Sequence, residues 1–155
     1  MSSIVCATRG GEGSRVAQMA AIEKAKATQK PLYFLYVVDA NSLDDEIDES
    51  LKEAILAELN WMGETLLRIA QRRADEANLS TEVKIRKGKV QDEIIRFVKD
   101  VKADLLVLGA PRGTTANVFG DDAIERLAGG IRQETAVTVE IIRPDFVNKE
   151  RVHNP

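Results

Sequence analysis

The stretch ADLLVLGAPRGTTANVFGDD, residues 103–122, passes from four apolar residues, Leu105 to Leu108, into three glycines, a proline, two threonines and an arginine. A short apolar run of that kind, with no polar alternation, suits a strand buried on both faces of a parallel sheet. A glycine-rich turn after it, leading to a helical pattern from about Asp122 to Glu134, is the strand–loop–helix passage of an α/β domain. The loop stands where backbone N–H groups could receive an anion.

The same grammar repeats on both sides. Ile4-Val5-Cys6-Ala7 is a second apolar run, closed by Arg9-Gly10-Gly11-Glu12-Gly13. Ser14 is placed to cap a helix running to about Thr28, with Val16, Ala20 and Ala27 on its inner side. Pro31 opens a strand over Leu32 to Val38. A long helix from about Leu51 to Ala77 carries the stripe Leu51, Ile55, Leu59, Met62, Leu66 and Ile69, read as its core face, and Trp61 with Met62 needs no cofactor to explain it. Thr81 to Lys87 alternates, with Val83 and Ile85 inward. After Gly88, a helix is marked by Val90, Ile94, Phe97 and Val101. The last helix points Ile124, Leu127 and Ile131 inward, and a fifth strand covers Val137 to Ile142. The order βαβαβαβαβ predicts an α/β fold: a doubly wound, Rossmann-like parallel sheet of five strands in a single domain, for which the order 3-2-1-4-5 is taken. The domain spans 1–145, and 146–155 is a polar tail.

Composition narrows the function classes. The 155 residues are 44% apolar and 30% charged with a net charge of −3, ordinary for a globular domain and without the basic excess that nucleic acid or anionic membrane attracts. One cysteine excludes an internal disulfide and a cysteine-rich zinc site, and one histidine, His153, makes no triad or metal cluster. The N-terminus lacks the pattern of a signal peptide and no run is long enough to span a membrane, so the expected location is the cytoplasm. Cys6 reads as a small buried hydrophobe. Asp44 to Glu49 reads as a solvated acidic cluster before a helix. No residue emerges as nucleophile or general base, so the expectation is a protein that is not an enzyme.

Ligands of doubly wound sheets bind beyond the carboxyl ends of the strands, where the strand order reverses. If the order is 3-2-1-4-5, that point lies between strands 1 and 4, and the two glycine-rich loops, Arg9 to Gly13 and Gly109 to Asp121, flank it.

Three segments resemble the universal stress protein family: residues 4–14, the glycine turn into a helix Gly88-Lys89-Val90-Gln91-Asp92-Glu93-Ile94-Ile95, and Ala103 to Gly109 running into Arg112-Gly113. The resemblance covers about residues 3–143. It implies the fold above and a homodimer, often paired through the fifth strands. Some members of the family bind ATP, through an acidic residue ending strand 1, a G-x-x-G phosphate loop, and a Gly-Ser or Gly-Thr nine residues further on. This chain departs at each point. Position 9 is arginine, which donates hydrogen bonds but accepts none. Three residues separate Gly109 from Gly113, and Pro111 has no N–H. Ala123-Ile124 stands at the third position, with Gly120, Asp121 and Asp122 before it. The reading is a diverged member, a binding or regulatory module in stress response, that does not bind ATP in the usual mode and acts through another small anionic ligand or a protein partner. The alternative is an adenine-nucleotide binder with rearranged contacts, with ATP and magnesium as the possible cofactor. The less favoured alternative is an adenylating enzyme, because Thr8 to Ser14 also resembles the S-G-G-x-D-S loop of ATP pyrophosphatases. Candidate ligand contacts are Arg9, Gly10, Gly11, Val37, Leu108, Gly109, Arg112, Gly113, Thr114, Thr115, Gly120 and Asp121. Arg9 and Arg112 could grip an anion from opposite loops, or Arg9 could pair internally with Asp121 or Asp122. No metal site, nucleic acid or membrane is expected, and the strand at 137–142 is the expected dimer edge.

Overall fold

In the computed structural model, the apolar runs form the inner strands of one parallel sheet. The described residues are 2–9, 12–39, 43, 45–110 and 123–143. The elements in chain order are β1 (Ser3–Ala7), α1 (Glu12–Thr28), β2 (Leu32–Val38), α2 (Glu49–Glu76), β3 (Glu82–Lys87), α3 (Val90–Asp100), β4 (Ala103–Gly109), α4 (Ala123–Glu134) and β5 (Thr138–Ile142). The strand order is β3-β2-β1-β4-β5, all parallel, as the sequence pattern predicts. β1 is central, with Cys6 beside Phe34 of β2 on one side and Val107 of β4 on the other.

Because side chains alternate along a strand, β1 feeds two cores. Ile4 and Cys6 join Phe34, Tyr36, Ala17, Ile22, Leu67 and Ala70 under α1 and α2. Val5 joins Leu35, Leu106, Leu108, Ile94, Phe97 and Ile131 under α3 and α4. Gly63 of α2 is buried because it rides on the Tyr36 ring: a Cβ there would lie 2.5 Å from the ring.

The helix faces correct the sequence reading in several places. In α1 the buried residues are Ala17, Ala21, Ile22 and Ala25, whereas Val16 and Ala20 are half-buried and Ala27 is exposed. Apolar residues, most of them alanines, fall on every side of the helix between polar ones, so periodicity alone did not single out the face that meets the sheet. It also starts at Glu12 rather than after Ser14, and the Ser14 hydroxyl accepts from the Arg9 N–H at 3.1 Å. In α2 the residues that reach the core are Gly63, Leu67, Ala70 and Ala74, with Leu56, Leu59 and Leu66 partly packed. Leu51, Met62 and Ile69 are exposed, and so is Trp61, at 64%. Val83 is exposed as well, on the edge strand β3. Among the described residues, no helix is long and apolar enough to cross a membrane.

Candidate functional site

The order reverses at β1, and a cleft opens there at the carboxyl ends of β1, β2 and β4, on the face covered by α3 and α4. Ala7, Thr8 and Arg9 form its floor and rim, Leu35 and Val37 come from β2, and Leu108 and Gly109 from β4. Val90 and Ile94 from α3 and Ile124 and Leu127 from α4 close the sides. The enclosed volume is about 30 Å³, room for roughly two water molecules. Its lining is apolar apart from Thr8, the backbone of Gly109 and the guanidinium of Arg9.

Backbone bonds set the depth of the cleft. The Thr8 N–H donates to the Leu35 carbonyl at 2.8 Å and the Ala110 N–H to the Ile142 carbonyl at 2.9 Å, so the strand ends stay in register past the last ladder pair. Thr8 is held from the opposite side: Gln18 Nε2 donates to Thr8 Oγ1 at 2.8 Å, and Arg73 Nη1 donates to Gln18 Oε1 at 2.6 Å. Since guanidinium can only donate, Arg73 fixes which end of the Gln18 amide faces Thr8. Burial lowers the Arg73 pKa from its usual value, Arg15 lowers it further, and Glu76 opposes both.

The two glycine-rich turns meet backbone to backbone. A Cβ on Gly13 would lie 2.0 Å from the Ala110 carbonyl oxygen, and one on Gly109 would lie 2.4 Å from the Gly13 carbonyl oxygen. The bare backbone of Gly109, read from sequence as an approach to an anion, is used against α1. On the α3 side, Gly88 adopts φ +147°, and the buried Glu93 carboxylate lies over it. Glu93 pairs with Arg96 and, at 3.8 Å, with Arg86. That cluster anchors the turn from which Val90 enters the cleft.

Of the residues expected from sequence, Arg9, Val37, Leu108 and Gly109 come together here. Gly10, Gly11, Arg112, Gly113, Thr114, Thr115, Gly120, Asp121 and Asp122 lie outside the described residues. Arg9 is exposed at the rim, and no described carboxylate pairs with it. The sequence reading missed Ala7, Thr8, Leu35, Val90, Ile94, Ile124 and Leu127 as cleft walls. Four of these had been read as inner helix positions. The usable signal was their place in the first turns of helices that start at the carboxyl end of the sheet. The described lining offers one cationic donor above an apolar slot and no nucleophile or general base. Among the described residues no three His, Cys, Asp or Glu side chains gather as metal ligands.

Residues 1–131 match the model of the family described as the universal stress protein family. The chain is 31% identical over 106 residues to universal stress protein MJ0531 of Methanocaldococcus jannaschii, a match spanning 68% of this chain and 62% of that relative's length. Among solved structures, universal stress protein UspA from Lactobacillus plantarum superposes with a TM-score of 0.77 at 19% identity, covering 92% of this chain and 97% of that one. A universal stress protein family protein from Arabidopsis thaliana with AMP bound gives a TM-score of 0.63 at 17% identity, covering 92% of each chain.

Proposed function

The chain belongs to the universal stress protein family, and from that premise we propose that it is a non-catalytic binding and regulatory module of the stress response. Its switch-point cleft takes a small anion through Arg9 and does not take ATP in the family's usual mode. The observation that carries this reading is Arg9, the charged member of the cleft's described lining, exposed at the rim where β1 ends. A carboxylate there accepts from a ribose hydroxyl. A guanidinium instead recruits a carboxylate or phosphate with paired, charge-assisted hydrogen bonds. The use of Gly109 against Gly13 supports the same conclusion, since the bare backbone of that glycine is taken up by α1.

A second reading is an adenine nucleotide held by rearranged contacts. It is favoured by the AMP-bound Arabidopsis protein and by the apolar side walls, which suit a planar ring once they part. In that reading the phosphate of a monophosphate falls to Arg9. The proposed setting is cytoplasmic. The proposed assembly is a homodimer paired through the strand at 137–142, because β5 is terminal in the sheet and an uncovered strand edge invites pairing. Protein partners belong to the same proposal.

Titration calorimetry with ATP and magnesium, with AMP and with inorganic phosphate, on wild type and Arg9→Ala, tests the assignment. The expected result is no heat with ATP and magnesium at millimolar concentration, and phosphate or AMP binding that weakens at least tenfold in the variant. Micromolar ATP binding that Arg9→Ala leaves unchanged overturns it.

A further inference from the structure

The outward face of α2 is apolar where a surface helix is normally polar. Trp61, Met62 and Ile69 are exposed at 64%, 46% and 42%, and they lie on the side turned away from the core-facing Gly63, Leu67, Ala70 and Ala74. Single exposed apolar residues need no explanation, but a cluster within three turns does. Charge is arranged around it with a symmetry. Thr65 sits at the centre, and Glu58 and Arg72, both exposed, lie seven residues before and seven after it. Seven residues is nearly two turns, so all three share one line along the helix.

We propose that this face is an interface for a second copy of the chain, with the two α2 helices antiparallel about a two-fold axis at Thr65. An antiparallel pair reverses the direction of one helix, so groups placed symmetrically about the axis meet across it. Glu58 then meets Arg72 of the second copy, and the contact occurs twice. The opposite signs at equal spacing are what such a pairing requires, whereas a parallel pairing sets Glu58 against Glu58. Met62 and Ile69 fall on the same flank at about 4.5 and 6 Å from the axis along the helix, so Met62 packs on the second copy's Ile69. Trp61 falls on the other flank with Arg68, which suits stacking of guanidinium on indole. The three apolar side chains expose on the order of 350 Å² per copy, the apolar share of an interface at the small end of specific complexes. The resulting dimer is therefore expected to dissociate in the micromolar range. This surface is separate from the β5 edge and from the cleft.

Sedimentation velocity from 1 to 100 µM tests it. Met62→Glu together with Ile69→Glu is expected to halve the sedimenting mass, from two copies to one, or from four to two if β5 also pairs. Both positions are exposed, so the thermal midpoint of the dissociated form stays unchanged. Arg72→Glu is expected to weaken association, and adding Glu58→Arg to restore it. Thr65→Cys lies on the axis and is expected to give a disulfide-linked dimer on mild oxidation. Leu51→Cys is not, since its two copies lie about 40 Å apart along the helices. Cys6 is fully buried and does not compete. An unchanged mass in the double variant, or equal cross-linking at Thr65→Cys and Leu51→Cys, overturns the proposal.

Discussion

Replacing Gly109 by alanine tests what the glycine-rich loop is for in this molecule, because two explanations of the glycine predict opposite results. In the structure the added methyl lies 2.4 Å from the Gly13 carbonyl oxygen, 2.7 Å from its carbon and 3.1 Å from the Ser14 nitrogen. These are backbone atoms, so no side chain can rotate away. The first turn of α1 must move by about 1 Å to restore ordinary contact, at the overpacking cost of about 1–3 kcal/mol, with this site at the upper end. For a chain of this length about 3 kcal/mol corresponds to a fall in Tm of roughly 6–12 °C. Gly13→Ala, which brings its methyl 2.0 Å from the Ala110 oxygen, is expected to cost as much. The two changes strain one contact, so the double variant loses less than the sum. Urea and thermal unfolding followed by circular dichroism, with phosphate titrations on each variant, read both quantities. If Gly109→Ala stays within about 0.5 kcal/mol of wild type while ligand binding disappears, the packing explanation is refuted and the glycine serves an anion.

Three further outcomes follow from individual residues. Gly129 in α4 has nothing within 4 Å of the position a Cβ takes, so Gly129→Ala is expected to stabilise by about 0.5–1 kcal/mol in the same unfolding assay. Burial pushes the Cys6 thiol up from 9.0 to about 12. The folded state therefore resists ionisation that the unfolded chain accepts, and the associated stability is intact below pH 9 and declines as pH rises toward 12, by about 1.4 kcal/mol per pH unit. Cys6→Ala, though less stable at pH 8, is expected to show a shallower alkaline slope, and equal slopes count against it. The Lys30 ammonium, hydrogen-bonded to Asp104, holds that carboxyl below its usual 3.8 despite an opposing contribution from burial. Its stabilisation is present above that pH and lost as pH falls through the lowered value. Both side chains are partly solvated, at 32% and 43%, so Lys30→Met is expected to cost under about 1 kcal/mol at neutral pH and low salt, and progressively less as pH falls through the lowered value.

The alternation of strand and helix patterns determined the parallel α/β sheet by itself, because short unalternated apolar runs and glycine turns leave few other architectures. The same alternation fits more than one doubly wound strand order, and β3-β2-β1-β4-β5 is what the tertiary structure shows. Leu105 to Leu108 and Ile4 to Ala7 needed no tertiary information to be placed at its centre. The family was legible in three particular segments, around residues 4–14, 88–95 and 103–113, and the cleft lies where the strand order reverses. Tertiary structure decided which stripe of each helix is buried. α2 carries two apolar stripes, one through Leu67, Ala70 and Ala74 and one through Met62 and Ile69, and a period of 3.6 residues fits both. Packing selects the first, where Gly63 lies against the Tyr36 ring and Leu67, Ala70 and Ala74 join the core. In α1 the residues against the sheet are Ala17, Ala21, Ile22 and Ala25, and Val16 and Ala20 stand half-buried beside them, a choice between neighbouring small apolar positions that only packing makes. Tertiary structure also decided the use of Gly13 and Gly109. A glycine in a sequence says that something comes close, and here it is the other loop's backbone.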